Sequence, residues 1–521
     1  MAESMRALNE FPGVMQYINT DGIEMREYQE NIIDSIKRNG NTLVVLPTGL
    51  GKTLIGIISI ASQLSENKKA IFLAPTKPLA EQHYNNFKKI FKIDEQELLL
   101  LIGTVSKKKR EAMEENAKII VATPQTVAND LKDATLSLDN IGLVVFDECH
   151  KAVGKYAYTY IANECNIRGI KILGLTASPG SKKEKIMGLV EALNIRNIEA
   201  RIASDPDVSR YVKQKYTHNV QIDMTDTIRN IAKLIEPEAE VALRSLNKMG
   251  FLRFKRFDRI PKGVLIDAGN QISRINAANY RMGAMFSYVK LLNLSHAYEL
   301  LTIEGLYPFL TYMKAMQNKE NKSRSVENIL ANKNIIKAVE LAEQAIKRGE
   351  EHGKIIALID IIRKYRGKGV IVFAQYRSTI KMIVEYLINN DLPAKAFVGK
   401  KEGVTQEMQK NIIQEFRERK FDILVASSIA EEGLDIPNVD AVIFYEPIPS
   451  EIRNIQRKGR TGRFRDGEIY ILIARDTKDE VYSYISAQRE RKMLAIINKI
   501  NNELTSKIRA AGQSTLGGSN A

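Results

Sequence analysis

Short, almost unbroken runs of aliphatic and β-branched residues recur along this chain, and they fall into two blocks. NTLVVLP, KAIFLAP, ELLLLIG, AKIIVAT, IGLVVFD and IKILGLT occupy the first block, and GKGVIVFAQ, FDILVASS, DAVIFYE and GEIYILIA the second. A strand that is apolar on both sides has to be covered on both sides, which is the situation of a parallel sheet between two layers of helices. Each block therefore predicts a doubly wound α/β domain. Between the blocks strand-like runs are missing, and EPEAEVALRSLNKM and NIIKAVELAEQAIKR carry helical periodicity. The expected fold is α/β, two parallel-sheet domains with an all-helical domain inserted between them. The expected boundaries are 1–205 for the first sheet domain, 206–350 for the insertion, 351–490 for the second sheet domain and 491–521 for a helical or flexible tail.

Composition narrows the class. The 521 residues are enough for several independent cores. Two cysteines, Cys149 and Cys165, cannot build a disulfide framework, a four-cysteine zinc site or an iron-sulfur cluster. No apolar run approaches the roughly 18 residues of a membrane span. MAESMRALNEFPG lacks the basic-then-apolar order of a secretion signal, so a cytoplasmic protein is expected. A net charge of +15 favours a polyanionic partner, nucleic acid above all.

Two stretches carry chemistry. In LVVLPTGLGKT an apolar strand breaks into Pro47, Thr48, Gly49, Leu50, Gly51, Lys52 and Thr53. Such a loop can turn successive N–H groups toward phosphate oxygens at a helix N-terminus, with Lys52 at the β and γ phosphates and the Thr53 hydroxyl on Mg²⁺. The strict pattern G-x-x-x-x-G-K-[ST] is not met, because Leu46 stands at its first glycine. About a hundred residues on, LVVFDECHK ends a strand in adjacent acids: Asp147 suits Mg²⁺ and Glu148 the orientation and deprotonation of water. His150 is expected to connect that site to the neighbouring domain. In QRKGRTGR, Arg460 and Arg463 are three residues apart and on a helix would share a face as two arginine fingers.

With these residues in place the chain resembles the superfamily 2 helicases. MREYQ resembles the Q motif, PTGLGKT motif I, APTKPLAEQ motif Ia, VATPQT motif Ib, DECH motif II and TASPG motif III; VIVFAQYRST, ASSIAEEGLDIP and IQRKGRTGR resemble motifs IV, V and VI. The resemblance implies two RecA-like domains with ATP between them and a nucleic-acid strand across their tops, and this superfamily commonly relaxes the first glycine of motif I. It also implies that Gln29 reads the adenine edge, that Gly433 and Asp435 join the nucleotide site with Asp435 at the ribose, and that Gln456 lies near the γ-phosphate or the attacking water. Thr176 and Ser178 would link hydrolysis to strand movement. Nucleic-acid contacts are expected from Thr76, Lys77, Thr123, Gln375, Arg377, Ser427 and Ser428, small polar groups or backbone amides suited to tracking phosphates.

The insertion narrows the resemblance. RSLNKMGFLRFKRFDRIPKG holds seven Lys or Arg against one Asp, with three phenylalanines among them. Arg253, Lys255 and Arg256 are assigned to nucleic acid, whereas Phe251, Phe254 and Phe257, three residues apart, are expected in the core of a helix. A helical insertion together with FYEPIPSEIRNIQRKGRTGR resembles the archaeal Hef and eukaryotic FANCM group. That group implies an ATP- and Mg²⁺-dependent 3′-to-5′ DNA translocase on forked or branched DNA, with the insertion as a thumb-like grip. Helical insertions also occur in RIG-I-like receptors and Dicer, so a nucleotide-gated duplex-RNA binder is the alternative. ERKMLAI begins like the XPF-type nuclease signature but lacks its completing acid, and no cleavage is expected. A monomer is expected, since relatives dimerise through that nuclease domain.

Overall fold

The computed structural model describes residues 12–516 apart from 22, 104–113, 153, 155, 203–204, 213, 400–403, 428–435, 449, 451–454, 456, 459 and 462–465. The first block folds into strands β1 (Thr42–Val45), β2 (Lys69–Leu73), β3 (Leu98–Leu101), β4 (Ile119–Ala122), β5 (Ile141–Asp147), β6 (Lys171–Thr176) and β7 (Asn197–Ala200). They form one sheet in the order β3-β4-β2-β5-β6-β1-β7, every pairing parallel. Strands β1, β4 and β5 are buried along their whole length, which accounts for their uninterrupted apolar sequence.

The second block forms β9 (Val370–Phe373), β10 (Ala394–Phe397), β11 (Ile423–Ala426), β12 (Ala441–Phe444) and β13 (Gly467–Ala474). A sixth strand, β8 (Lys215–Ile222), comes from ahead of the helical insertion and pairs in parallel with all of β13, giving the order β10-β11-β9-β12-β13-β8. The stretch 215–222 was expected with the helical insertion and is instead an edge strand of the second sheet. Its side chains are largely exposed, so it lacks the apolar run by which the other strands announce themselves.

Between β8 and β9 lies a helical bundle with its own core, built on Asp226–Lys248, Ala278–Glu299 and Lys333–Lys347. A single π-turn, Leu300–Glu304, joins Ala278–Glu299 to Leu306–Gln317 and is buried throughout. It ends where the bundle meets the second sheet domain: Thr379 donates to the Glu304 carboxylate at 2.9 Å, and the Tyr445 hydroxyl donates to the Glu304 carbonyl at 3.3 Å. The last helix, Lys478–Leu516, leaves the second sheet domain and crosses back. Its Met493, Ile497 and Ile500 are buried in the core of the first domain.

Candidate functional site

Parallel strands bring all their C-terminal ends to one edge, and that edge of the first sheet collects the residues singled out by the sequence. Val45 of β1 pairs with Thr176 of β6, and Asp147 of β5 pairs with Leu175. Strands lie about 4.8 Å apart, so the loop after β1, the acids after β5 and the Thr176–Ser178 turn are neighbours within roughly two strand spacings.

The loop itself is tightly held. Gly49 and Gly51 adopt φ of 89° and 73°, the left-handed region that other residues rarely enter, and the helix Lys52–Ser65 begins immediately after. A Cβ on Gly51 would also come within 2.4 Å of Gln29 Nε2. Gln29 and Tyr28 both donate to the Leu50 carbonyl, at 3.2 and 2.8 Å, while Gln29 Oε1 accepts from the Arg26 N–H at 3.0 Å. Lys52 Nζ donates to the Leu46 carbonyl at 2.9 Å. Leu46 is fully buried, so at the position where the strict pattern has glycine the backbone serves the loop and the side chain serves the core.

Opposite the loop, buried Asp147 meets His83 Nε2 at 3.1 Å through Oδ2, and its backbone carbonyl accepts from the Tyr158 hydroxyl at 2.7 Å. Glu148 sits at φ 47°, ψ 47°, a left-handed conformation that turns its side chain out of the strand direction. Its Oε2 lies 3.2 Å from His150 Nδ1 but out of line for a hydrogen bond, which leaves a buried carboxylate oxygen without a partner. The same His150 nitrogen lies 3.1 Å from Thr176 Oγ1. Thr176 Oγ1 accepts from the Ser178 N–H at 3.1 Å, and Ser178 Oγ contacts Met493 Sδ of the last helix at 3.0 Å. An unbroken chain of polar contacts thus runs from the DECH strand end through TAS to the returning helix.

This donor set fits a nucleoside triphosphate with Mg²⁺. Open left-handed glycines beside a lysine suit phosphate, and hard carboxylate and hydroxyl oxygens with one unsatisfied acceptor suit a small divalent cation. Asp147 and Thr53 would supply one carboxylate and one hydroxyl to such a cation, which keeps several water and phosphate ligands of its own.

In motif VI, Arg457 is buried with its guanidinium 4.5 Å from the Phe373 ring centre and 5.8 Å from that of Phe444, so it fastens this segment to the ends of β9 and β12. Ile455 packs against the core of the first domain. Arg460 does not lie on a helical face as expected. It occupies a turn, and the next residue, Thr461, forms a parallel bridge with Val439 and donates to its carbonyl at 2.7 Å. Gly433, Asp435, Gln456, Arg463 and Ser428 lie outside the described residues.

The expected nucleic-acid residues are uneven. Thr76 and Thr123 head the helices Lys77–Ile90 and Pro124–Lys132; Thr123 is buried with its hydroxyl 2.8 Å from that of Thr126, while the buried Thr76 hydroxyl has no partner. Lys77 pairs loosely with Glu81 at 3.7 Å. Gln375 is exposed after β9, Arg377 donates to the Gly399 carbonyl at 2.8 Å, and the Ser427 N–H donates to the Phe397 carbonyl at 3.0 Å. In the bundle, Arg253 and Lys255 face solvent, whereas Arg256 is held by Asp258 in a two-pronged pair at 3.0 and 2.8 Å. Phe257 is buried and Phe251 and Phe254 pack on the bundle core, as expected, but from an irregular segment with one short 3₁₀ turn rather than a helix.

The helicase domain of Pyrococcus furiosus Hef, known from its crystal structure, is 40% identical to this chain, which it covers to 90% while being covered completely, at a TM-score of 0.72. The chain belongs to the Hef-type superfamily 2 helicases. Family models agree with its layout: DEAD/DEAH box helicase over residues 26–186, the helical bundle of an ATP-dependent RNA helicase over 227–349, and the helicase conserved C-terminal domain over 353–465. Among curated relatives of this Hef-type helicase, a Methanocaldococcus jannaschii protein named as an ATP-dependent RNA helicase is 36% identical over 92% of the chain. The Schizosaccharomyces pombe ATP-dependent DNA helicase fml1 is 29% identical over 89%, and the Pyricularia oryzae ATP-dependent DNA helicase MPH1 32% over 93%. The chain spans 61%, 58% and 47% of the lengths of these three proteins.

Three residues of the Hef-type site escape a reading by motif. His83 reaches Asp147 from the helix that begins within motif Ia, where it shares the buried face with Ala80 and Phe87, a helical spacing visible in the sequence. Tyr158 bridges the ends of β2 and β5 by donating to the Leu73 and Asp147 carbonyls at 3.2 and 2.7 Å. Met493 comes from some three hundred residues beyond the strand it supports, and no local pattern marks it.

Proposed function

We propose that this chain is an ATP-hydrolysing DNA helicase or translocase that moves 3′ to 5′ and acts on forked or branched DNA. What carries the reading is the convergence, at one sheet edge, of the Leu46–Thr53 loop, Asp147 with the unsatisfied Glu148 oxygen, and the Thr176–Ser178 turn. Lys52 releases the Leu46 carbonyl to meet phosphate, Gln29 orients the base, and Glu148 holds and deprotonates the attacking water. Thr53 and Asp147 would hold Mg²⁺, which when bound would supply positive charge to the phosphate oxygens. Arg460 and Arg463 come from the second sheet domain, so turnover requires the two domains to close, and His150 with Thr176 and Ser178 relays that closure toward the strand. DNA-helicase names among the relatives support DNA as the substrate, and the exposed Arg253 and Lys255 support a nucleic acid of either kind. The name of the M. jannaschii relative favours a second reading, an RNA helicase. ATP hydrolysis and strand release measured on forked DNA, linear duplex DNA and duplex RNA separate the two: the strongest response is expected with forked DNA, and a response to RNA alone would overturn the DNA reading.

A further inference from the structure

The last helix is tied down at both ends, and to different parts of the molecule. Its first turn is clamped at the joint between the bundle and the second sheet domain. Lys478 pairs with Glu299, the final residue of the bundle helix Ala278–Glu299, while Asp479 Oδ2 accepts from Lys354 Nζ at 2.5 Å and from the Ala474 N–H at 3.0 Å. Lys354 lies at the start of the helix Gly353–Arg363, and its N–H donates to His352 Nδ1 at 3.0 Å. His352 Nε2 in turn donates to the Thr302 carbonyl of the π-turn at 3.1 Å. From Asp479 to Met493 is about 21 Å along a helix that rises about 1.5 Å per residue, and there Met493 Sδ meets Ser178 Oγ at 3.0 Å in the first sheet domain. Farther on, Glu503 pairs with Lys183 at 3.2 Å.

The two ends differ in strength. The side chains of Lys354 and Asp479 are 0% and 1% exposed. Parting such a pair strands both charges away from water, so it stays made when the joint moves. Lys183 and Glu503 are 46% and 42% exposed and hold little, and a thioether is a weak acceptor. Closure of the two sheet domains shears the helix past the first of them, and the weaker end is the one that yields. Ser178 Oγ also accepts from the Gly180 N–H at 3.4 Å, and the Ser178 carbonyl accepts from Thr176 Oγ1 at 3.0 Å. A shift of Met493 is therefore felt at the Thr176 hydroxyl that faces His150.

We propose that Lys354 and Asp479 are positioning residues for ATP hydrolysis: by fixing the start of the last helix to the bundle, they make the Thr176–Ser178 turn follow the bundle, so that nucleic acid gripped there speeds hydrolysis in the first sheet domain. The effect on hydrolysis rests on the helicase reading above, whereas the mechanical link between joint and turn does not.

Lys354→Met combined with Asp479→Asn removes both charges together and keeps an oxygen for the Ala474 N–H, so the fold is expected to survive. In the whole chain without nucleotide, amide hydrogen exchange should become several-fold faster at Ser178 and Gly180, whose N–H groups are held only by side-chain oxygens of the turn, and stay unchanged in β2 and β4. Basal ATP turnover should be unaltered, while its stimulation by forked DNA or duplex RNA, whichever acts on the unaltered chain, falls by about fivefold or more. A purely structural pair would instead lower Tm and basal turnover together. Met493→Leu, which keeps the volume and removes the sulfur, should also reduce stimulation, and joining it to the double variant should add nothing further, although sites about 21 Å apart ordinarily contribute independently. Lys478→Gln, at the partly buried pair with Glu299, should act in the same direction and decides if the double variant does not fold. Unchanged exchange at Ser178 and Gly180, or full additivity of the two ends, would overturn the proposal. An unaltered chain that hydrolyses no ATP would refute the helicase reading and leave the exchange result to stand.

Discussion

At the scale of single residues, the nucleotide loop and the strand end opposite it are set by a few contacts whose removal has separable effects. Lys52→Ala deletes the cation next to the glycines, and Glu148→Gln keeps the shape of the acid while removing its basicity. Both are expected to reduce ATP turnover by at least a hundredfold in a phosphate-release assay, the glutamine variant with nucleotide binding intact. His83 touches no phosphate, but it fixes one oxygen of Asp147. His83→Ala should therefore shift the Mg²⁺ concentration needed for half-maximal ATPase upward by about tenfold, with partial recovery in His83→Gln, because partners of a metal-binding carboxylate tune affinity by roughly that amount. An unchanged Mg²⁺ requirement would reduce His83 to a core residue tilted against the Phe72 ring.

Elements carry a different kind of information. The bundle is docked by its π-turn, and the carboxyl of Glu304 there is raised by burial to about 7, offset by Lys354 and reinforced by Asp479 and Glu299. A folded-state value above the unfolded one means the folded chain holds the proton more tightly. The resulting stability is present in full below about pH 4.5 and is lost as pH rises through about 7. Relative to wild type, Glu304→Gln should accordingly gain in Tm between pH 5 and 8; a pH-independent difference would refute the protonated carboxyl. On the outer face of the bundle, Arg253→Glu with Lys255→Glu should weaken binding of branched DNA while sparing ATPase on single strands. Arg256, whose guanidinium is already committed to Asp258, should matter less. This element scale is also where the sequence is and is not legible. The strands that declare themselves as apolar runs are there, whereas β7, β8 and β10 do not declare themselves, and all three are sheet edges with partly polar faces. The loop, the DECH acids and TAS are legible because their chemistry is local in sequence. Arg460 sits in a turn beside the bridge between Thr461 and Val439, a tertiary contact that no helical spacing encodes. His83, Tyr158 and Met493 act across the fold and leave only the apolar periodicity they share with ordinary core residues.

For the whole molecule, the chain runs from the first sheet domain into the second by way of β8, out through the bundle, back into the second, and finally home along the helix Lys478–Leu516. A protein this basic is expected to hold DNA largely through phosphates, so the logarithm of its affinity should fall linearly with that of salt concentration, losing about 0.9 per neutralised phosphate contact on duplex. A flat salt dependence would contradict backbone tracking. Met493, Ile497 and Ile500 fill the core beside β7, and the Asn501 side chain accepts from the Ile198 N–H at 3.2 Å, closing that sheet edge. The sheet they complete nevertheless leaves the ribosome well before they do. Roughly three hundred residues separate Ile198 from Met493, which at about 5–20 residues per second is about 15–60 s of translation. During that interval an apolar face and an open strand edge wait for the helix Lys478–Leu516 to be made, so a chaperone that shields nascent chains has its clearest client here in the half-finished first sheet domain.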